Sequence, residues 1–337
     1  MSKKQIARQH HYLPQKTNRP PASFLPQFYL RAFAKKPSPK AKLYVFDMLK
    51  GNWLPHPTST KGLGTRRDFN RVDMDGHPID ALENSLSKFE SDAAMALRRI
   101  IESCQMPDGD DYIYLMNIVA MISVRNPWTR KNFGNFKKEI IERTIDLTLA
   151  SRQRFESSVK KMKEDGYGLD LPDVSYEEML TFYEEKNYDI TIANQSFFSA
   201  EFGAIDTVIK TLLKRKWTFL IADNNAGYFV CGDDPMCLRW NSPNLDAGNW
   251  PPGHGLKNTE VIFPLSKNIA MVGTFDGKDR TVKANRTVVA TLNTILINNC
   301  DRHVYSPKGE FDFIGTDQRI YQSNSFCRWF RRRLPLE

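Results

Sequence analysis

From Pro78 to Arg215 the apolar residues of this 337-residue chain recur every three or four positions, whereas from Trp217 they alternate. The first spacing belongs to amphipathic helices and the second to half-buried strands. A run of helices followed by a run of strands that closes on one more helix predicts an α+β fold: a central helical layer, a C-terminal antiparallel sheet and a short N-terminal hairpin.

Individual segments sharpen this. "AKLYVFDMLKGNWLP" (41–55) has two short apolar runs around Lys-Gly and predicts the hairpin, while 56–78, rich in Gly, Asp and Thr, predicts a long loop. Leu82, Leu86, Phe89, Ala93, Leu97 and Ile100 form one helical stripe. The stretch 111–133 is apolar all round, which predicts a buried central helix ending near Asn126 because Pro127 follows. A charged amphipathic helix is expected over about 136–165, then shorter helices near 176–186 and 195–215. "DNNAG" (223–227) and "SKN" (266–268) each separate two strand-like runs, and 280–300 returns to helical spacing, with Asn293 placed to bond across the core and His303 just beyond its end. A single domain is expected over 1–337: strap and hairpin to about 60, helical layer about 78–216, sheet plus helix about 217–320, basic tail 321–337.

The chain has a hydrophobic content of 41% and no apolar run of membrane-spanning length, and "MSKKQIARQHHYL" has no apolar signal core, so a cytoplasmic protein without membrane contact is expected. Five widely spaced cysteines form no Cys-x-x-Cys pair and read as reduced, mostly buried thiols. The formal charge of +9 is concentrated at the two ends, which points to nucleic acid as a partner bound through basic termini. A protein partner or homo-oligomer is left open.

"HHYLPQKTNRPPASFLPQFYLRAFA" (10–34) contains an echo, Tyr12-Leu-Pro-Gln15 and Phe24-Leu-Pro-Gln27. His10, His11, Tyr12 and Pro14, followed by Phe28, Tyr29, Leu30 and Phe33, resemble the opening of the bacterial and phage-associated domain of unknown function numbered four-two-three-eight. The acidic helix "ALENSLSKFES" with Glu83 and Glu90, Arg125 with Pro127, "FVCGDDPM" (229–236), "FPLS" (263–266) and the final helix with its Asn are similar to later parts of that family. One departure is the insert "KTNRPPASFLPQ", which separates the histidines from the Tyr-Leu half. The resemblance implies mobile-element and phage-defence settings and no established activity.

The candidate chemistry follows from residue types. Histidine titrates near neutrality and can bind a metal or act as a base. A metal-dependent phosphodiesterase needs several hard or borderline ligands beside the scissile phosphate. His10, His11, Glu83, Glu90 and Asp233 can supply such a set, with His11, Glu83, Glu90 and Asp233 holding a divalent ion such as magnesium or manganese and Arg125 stabilising charge. Glu83 and Glu90, two turns apart, share a helical face on which Arg125 is expected to be their partner through a bidentate bond. The expected function is therefore a metal-dependent nuclease acting on DNA or RNA. The rival is a non-enzymatic nucleic-acid-binding, sensor or interaction module in which the same polar residues form a structural network, and a metal-free RNA cleavage by His10 and His11 is a third reading. Phosphate-loop, dinucleotide-fold, esterase-elbow and zincin motifs are absent from the sequence.

Overall fold

The change of period at Trp217 is a change of layer. A computed structural model describes residues 22–66, 69–70, 81–167, 173–186, 188–242 and 250–323. The chain enters through β1 (Ala22–Ser23) and the short helix α1 (Gln27–Arg31), then forms the predicted hairpin, β2 (Lys42–Asp47) with β3 (Asn52–Trp53). The expected loop after it carries two short strands in its described part, β4 (Thr58–Ser59) against β2 and β5 (Thr65–Arg66) against β1. Strand-like alternation is too brief there to be read from sequence. Gly64, at φ +57, permits the β1 contact: its carbonyl accepts the Phe24 and Leu25 amides, and an added Cβ would lie 2.7 Å from that of Leu25.

The helical block comprises α2 (Ala81–Ser103), α3 (Gly109–Val124), α4 (Pro127–Leu149), α5 (Arg152–Glu164), α6 (Tyr176–Glu184) and α7 (Asn194–Leu212). α3 is the buried helix its composition demands. It stops where predicted: Asn126 caps α4 by accepting the Thr129 amide at 2.8 Å, and Pro127 sits at the first helical position. The expected single helix over 136–165 is instead the end of α4 and all of α5, because Ser151 leaves helical conformation and caps a new start.

The larger sheet has the order β11 (Arg280–Ala284), β6 (Lys216–Ala222), β10 (Ile269–Thr274), β9 (Thr259–Ser266), β8 (Cys237–Trp240). It is antiparallel apart from the parallel β11–β6 pair. The expected helical run over 280–300 is thus β11 followed by α8 (Arg286–Asn299). Side chains alternate between two cores: Trp217, Phe219, Val261, Phe263 and Met271 pack toward the helical layer, while Leu220, Ile262 and Ala270 pack toward α8. "DNNAG" does not close a hairpin within that sheet. The run after it supplies β7 (Cys231–Gly232), which joins β12 (His303–Ser306) in a second sheet of order β3-β2-β12-β7. A last pair, β13 (Asp312–Ile314) and β14 (Ile320–Gln322), packs on α8.

The "FLPQFYLRAFA" half of the opening stretch is a buried strap. Leu25, Tyr29, Leu30 and Phe33 are sealed from solvent, and Tyr29 donates its hydroxyl to the Pro264 carbonyl at 2.7 Å. Asn293 bonds across the second core, accepting the Val230 amide and donating to the Tyr228 and Asp312 carbonyls. Of the described cysteines Cys231 and Cys237 are buried, Cys300 is partly buried and Cys104 is exposed. Among the described residues no helix is long and apolar enough to cross a membrane.

Candidate nucleic-acid interface

The first half of α4, "PWTRKNFGNFKK" (127–138), interleaves aromatic and basic residues. At helical spacing Pro127, Lys131, Gly134 and Lys138 share one face, and that face forms one wall of a cleft of about 550 Å³. The segment 189–192 and the start of α7 form the opposite wall, and Arg66, Phe69 and Asp301 line it from other parts of the chain. Gly134 allows the walls to approach, since a Cβ there would meet the Phe197 ring at 3.4 Å. Trp128 is about half exposed, with the Lys131 ammonium 5.7 Å from its ring centre, and Lys138 pairs with Asp189 at 3.1 Å.

Beneath the cleft lies a buried charge network. Both oxygens of Glu201 on α7 receive Arg130, Oε1 from Nε and Oε2 from Nη2 at 2.9 Å, and Arg130 Nη1 donates to the Phe69 carbonyl at 2.6 Å. The Arg130 guanidinium lies 3.6 Å from the Phe69 ring centre and 4.8 Å from that of Phe198, a stacked environment that suits arginine rather than lysine. Arg125, at the end of α3, donates through Nη2 to Asn70 Oδ1 at 2.7 Å and places Nε 3.6 Å from Glu201 Oε2. Burial lowers the Arg125 pKa, and Glu201 opposes the shift. One carboxylate thus serves two arginines, a geometry in which each charge depends on the others to remain in a dry site.

The sequence-derived candidates fall in different places. His10 and His11 lie outside the described residues, and Glu83 is on α2 with its side chain also outside them. Glu90, half buried on α2, is near enough for its charge to act on Arg125. The bidentate acid on α7 was not anticipated: Glu201 grips the neighbouring Arg130, while Arg125 reaches Asn70 and the edge of Glu201.

Asp233 stands at the end of β7 and clamps a loop. Its Oδ1 accepts the Asp301 amide at 3.0 Å, and its Oδ2 accepts those of Arg302 and His303 at 2.9 and 2.8 Å. Burial raises its pKa, and these donors pull the other way. Next to it, burial pushes Asp234 up to about 7, with Asp233 and Asp301 adding to the shift. Among the described residues no group of three or more His, Cys, Asp or Glu side chains is arranged to hold a metal ion. The Asp233 clamp nevertheless bears on the cleft, because Asp301, which it holds, lines the cleft together with Arg130.

Trp128, Arg130, Lys131 and Glu201 were missed as site residues. The alternation in "WTRKNF" was a legible signal, and Glu201 inside the apolar "FFSAEFGAI" signalled a buried acid in need of a cation.

Fold and cleft together define an α+β protein whose helical layer carries a basic, aromatic-lined recess over a buried arginine–glutamate network. The chain belongs to the family described as "Protein of unknown function (DUF4238)", which matches residues 24–310. No curated protein and no solved structure matches it. The match opens at Phe24, in the second copy of the Leu-Pro-Gln echo, so His10 and His11 fall outside the matched region while Glu83, Glu90, Arg125 and Asp233 fall within it.

Proposed function

We propose that this protein binds single-stranded nucleic acid in the α4 cleft, with the buried arginine–glutamate network acting as its structural floor. The observation that carries this reading is the joint lining of the recess by Arg66, Lys131, Trp128 and Phe197. Arg66 and Lys131 have no carboxylate partner among the described residues and can meet phosphates, and Trp128 offers a ring on which a base can stack. A single strand fits this chemistry better than a duplex, because stacking on a side chain requires an unpaired base. The basic termini expected from the sequence to bind nucleic acid lie largely outside the described residues. The reading places the protein in the cytoplasm of a bacterium, in the phage-defence setting that the family resemblance implies.

A second reading keeps the nuclease expectation, with carboxylates that would hold a divalent ion taken from solution. One observation favours it: Asp301 and the cationic residues line the same recess, and Asp234, whose proton is exchangeable near neutrality, is close to Asp301.

Fluorescence anisotropy with labelled single-stranded DNA, single-stranded RNA and duplex oligonucleotides tests the binding reading. Single strands should bind more tightly than duplex, and Lys131→Glu and Trp128→Ala should each weaken binding about tenfold or more. Unchanged affinity in both variants would refute it. The same oligonucleotides incubated with magnesium or manganese, with and without EDTA, decide whether strand cleavage accompanies binding.

A further inference from the structure

A second recess, of about 670 Å³, lies between the strap, α2 and the β9–β10 turn. Its apolar lining comes from Phe28 and Ala32 of the strap and from Leu97 and Ile101, one helical turn apart on α2. Three cationic side chains line it as well: Arg31, Arg98 and Lys267. Against them stands one acid, Glu102, and no ion pair joins it to Arg98 among the described residues.

Among the described residues none of these three cations forms an ion pair with a carboxylate. Arg31 Nε is buried and has no hydrogen-bond partner among the described residues. Lys267 donates to the Lys35 carbonyl at 2.9 Å, which satisfies a donor without balancing a charge, and burial together with Lys35 lowers its pKa. A concave apolar surface of ligand-binding size, bordered by three cations against one acid, complements a molecule with an apolar body and an anionic head.

We infer that the recess formed by Phe28, Leu97 and Ile101 beneath Arg31, Arg98 and Lys267 is a binding site for a small anionic amphiphile, its acyl-length body on the apolar lining and its carboxylate or phosphate between the cations. The site is separate from the α4 cleft and independent of what binds there. The strap lies in its wall, so occupancy would brace the strap against the β9–β10 turn, to which it is already tied by the Lys267 amide bonding to the Ala32 carbonyl.

Isothermal titration calorimetry on the full chain tests this, with sodium decanoate below its micelle concentration, decyltrimethylammonium as the cationic control and acetate as the headgroup alone. Decanoate should saturate one site, with the cationic chain at least tenfold weaker and acetate silent. Arg98→Glu, on the exposed face of α2, should weaken decanoate at least tenfold at an unchanged melting temperature. Arg31→Gln is the second variant and should lower affinity in the same direction. Equal binding of the two surfactants, or native affinity in both variants, would overturn the proposal. Tighter binding of an acetylated Glu-Leu-Glu-Leu peptide than of decanoate would assign the recess to a protein partner and overturn it too.

Discussion

Glu201 and Arg130, on different helices, form a two-point ion pair that is almost completely shielded from water, and the same carboxylate faces Arg125. Glu201→Gln should therefore leave two cations in a site with no carboxylate between them. The expected loss is about 3–5 kcal/mol, the scale for breaking a buried pair from one side. Urea denaturation measures it, and a loss below about 1 kcal/mol would place the network in solvent contact.

Asp233 organises 301–303 by accepting three amides, so Asp233→Ala strands three donors at once. A destabilisation of about 2–4 kcal/mol is expected, since each buried group left unsatisfied costs about 1–3 kcal/mol and water can reach part of the loop. Hydrogen exchange should show the Arg302 and His303 amides losing protection before the rest of β12.

Asp234 gives stability a definite pH dependence. Its folded pKa, about 7, lies above the ordinary carboxylate value because burial disfavours the charge. The neutral form is therefore the stabilising one: its contribution is complete below about pH 4 and is lost as pH rises to about 7. Asp234→Asn should raise the unfolding free energy by about 2 kcal/mol at pH 8 and leave it unchanged at pH 4. Equal effects at both pH values would mean that the carboxyl is solvated.

His254 acts in the opposite sense. Burial, with Arg215 adding, lowers its pKa to about 4, so its contribution is present above about pH 6.5 and lost as pH falls toward 4. Its carbonyl also accepts Arg215 Nη2 at 2.8 Å, which ties 254 to the buried arginine through backbone that a side-chain change leaves in place. His254→Gln should flatten the acid limb of a plot of melting temperature against pH, and an unaltered limb would assign acid lability to other groups.

Gly273 and Trp217 are register partners across β10 and β6, and a Cβ on Gly273 would sit 2.5 Å from the indole ring. Trp217 is fully buried and cannot swing aside. Gly273→Ala should cost about 1–3 kcal/mol by overpacking and shift the tryptophan fluorescence. A variant as stable as the native chain would show that the sheet yields there.

Much of the fold was legible because its determinants are local. The stripe from Leu86 to Ile100, the uniformly apolar α3 and the Asn126-Pro127 boundary depend on neighbours within a few residues. The β9–β10 hairpin around "SKN" is likewise a short-range structure. The assignment of β7 to the second sheet was not legible, since its partner β12 lies about 70 residues on and several alternating runs could have paired with it. Ser151 was misread for a different reason: a capping serine and a helix-interior serine look alike until the chain is seen to turn.

The candidate site divides in the same way. That buried charges would require partners follows from local sequence: Arg125 on an apolar helix and Glu201 in an apolar run carry that requirement in their immediate surroundings. Which partners meet depends on long-range packing. It set Glu201 against Arg130, used Asp233 to hold a loop, and brought Asp301 and α4 to the same recess. Charge and burial preference are properties of a residue and its local sequence, whereas pairing depends on how helices and strands distant in sequence pack together.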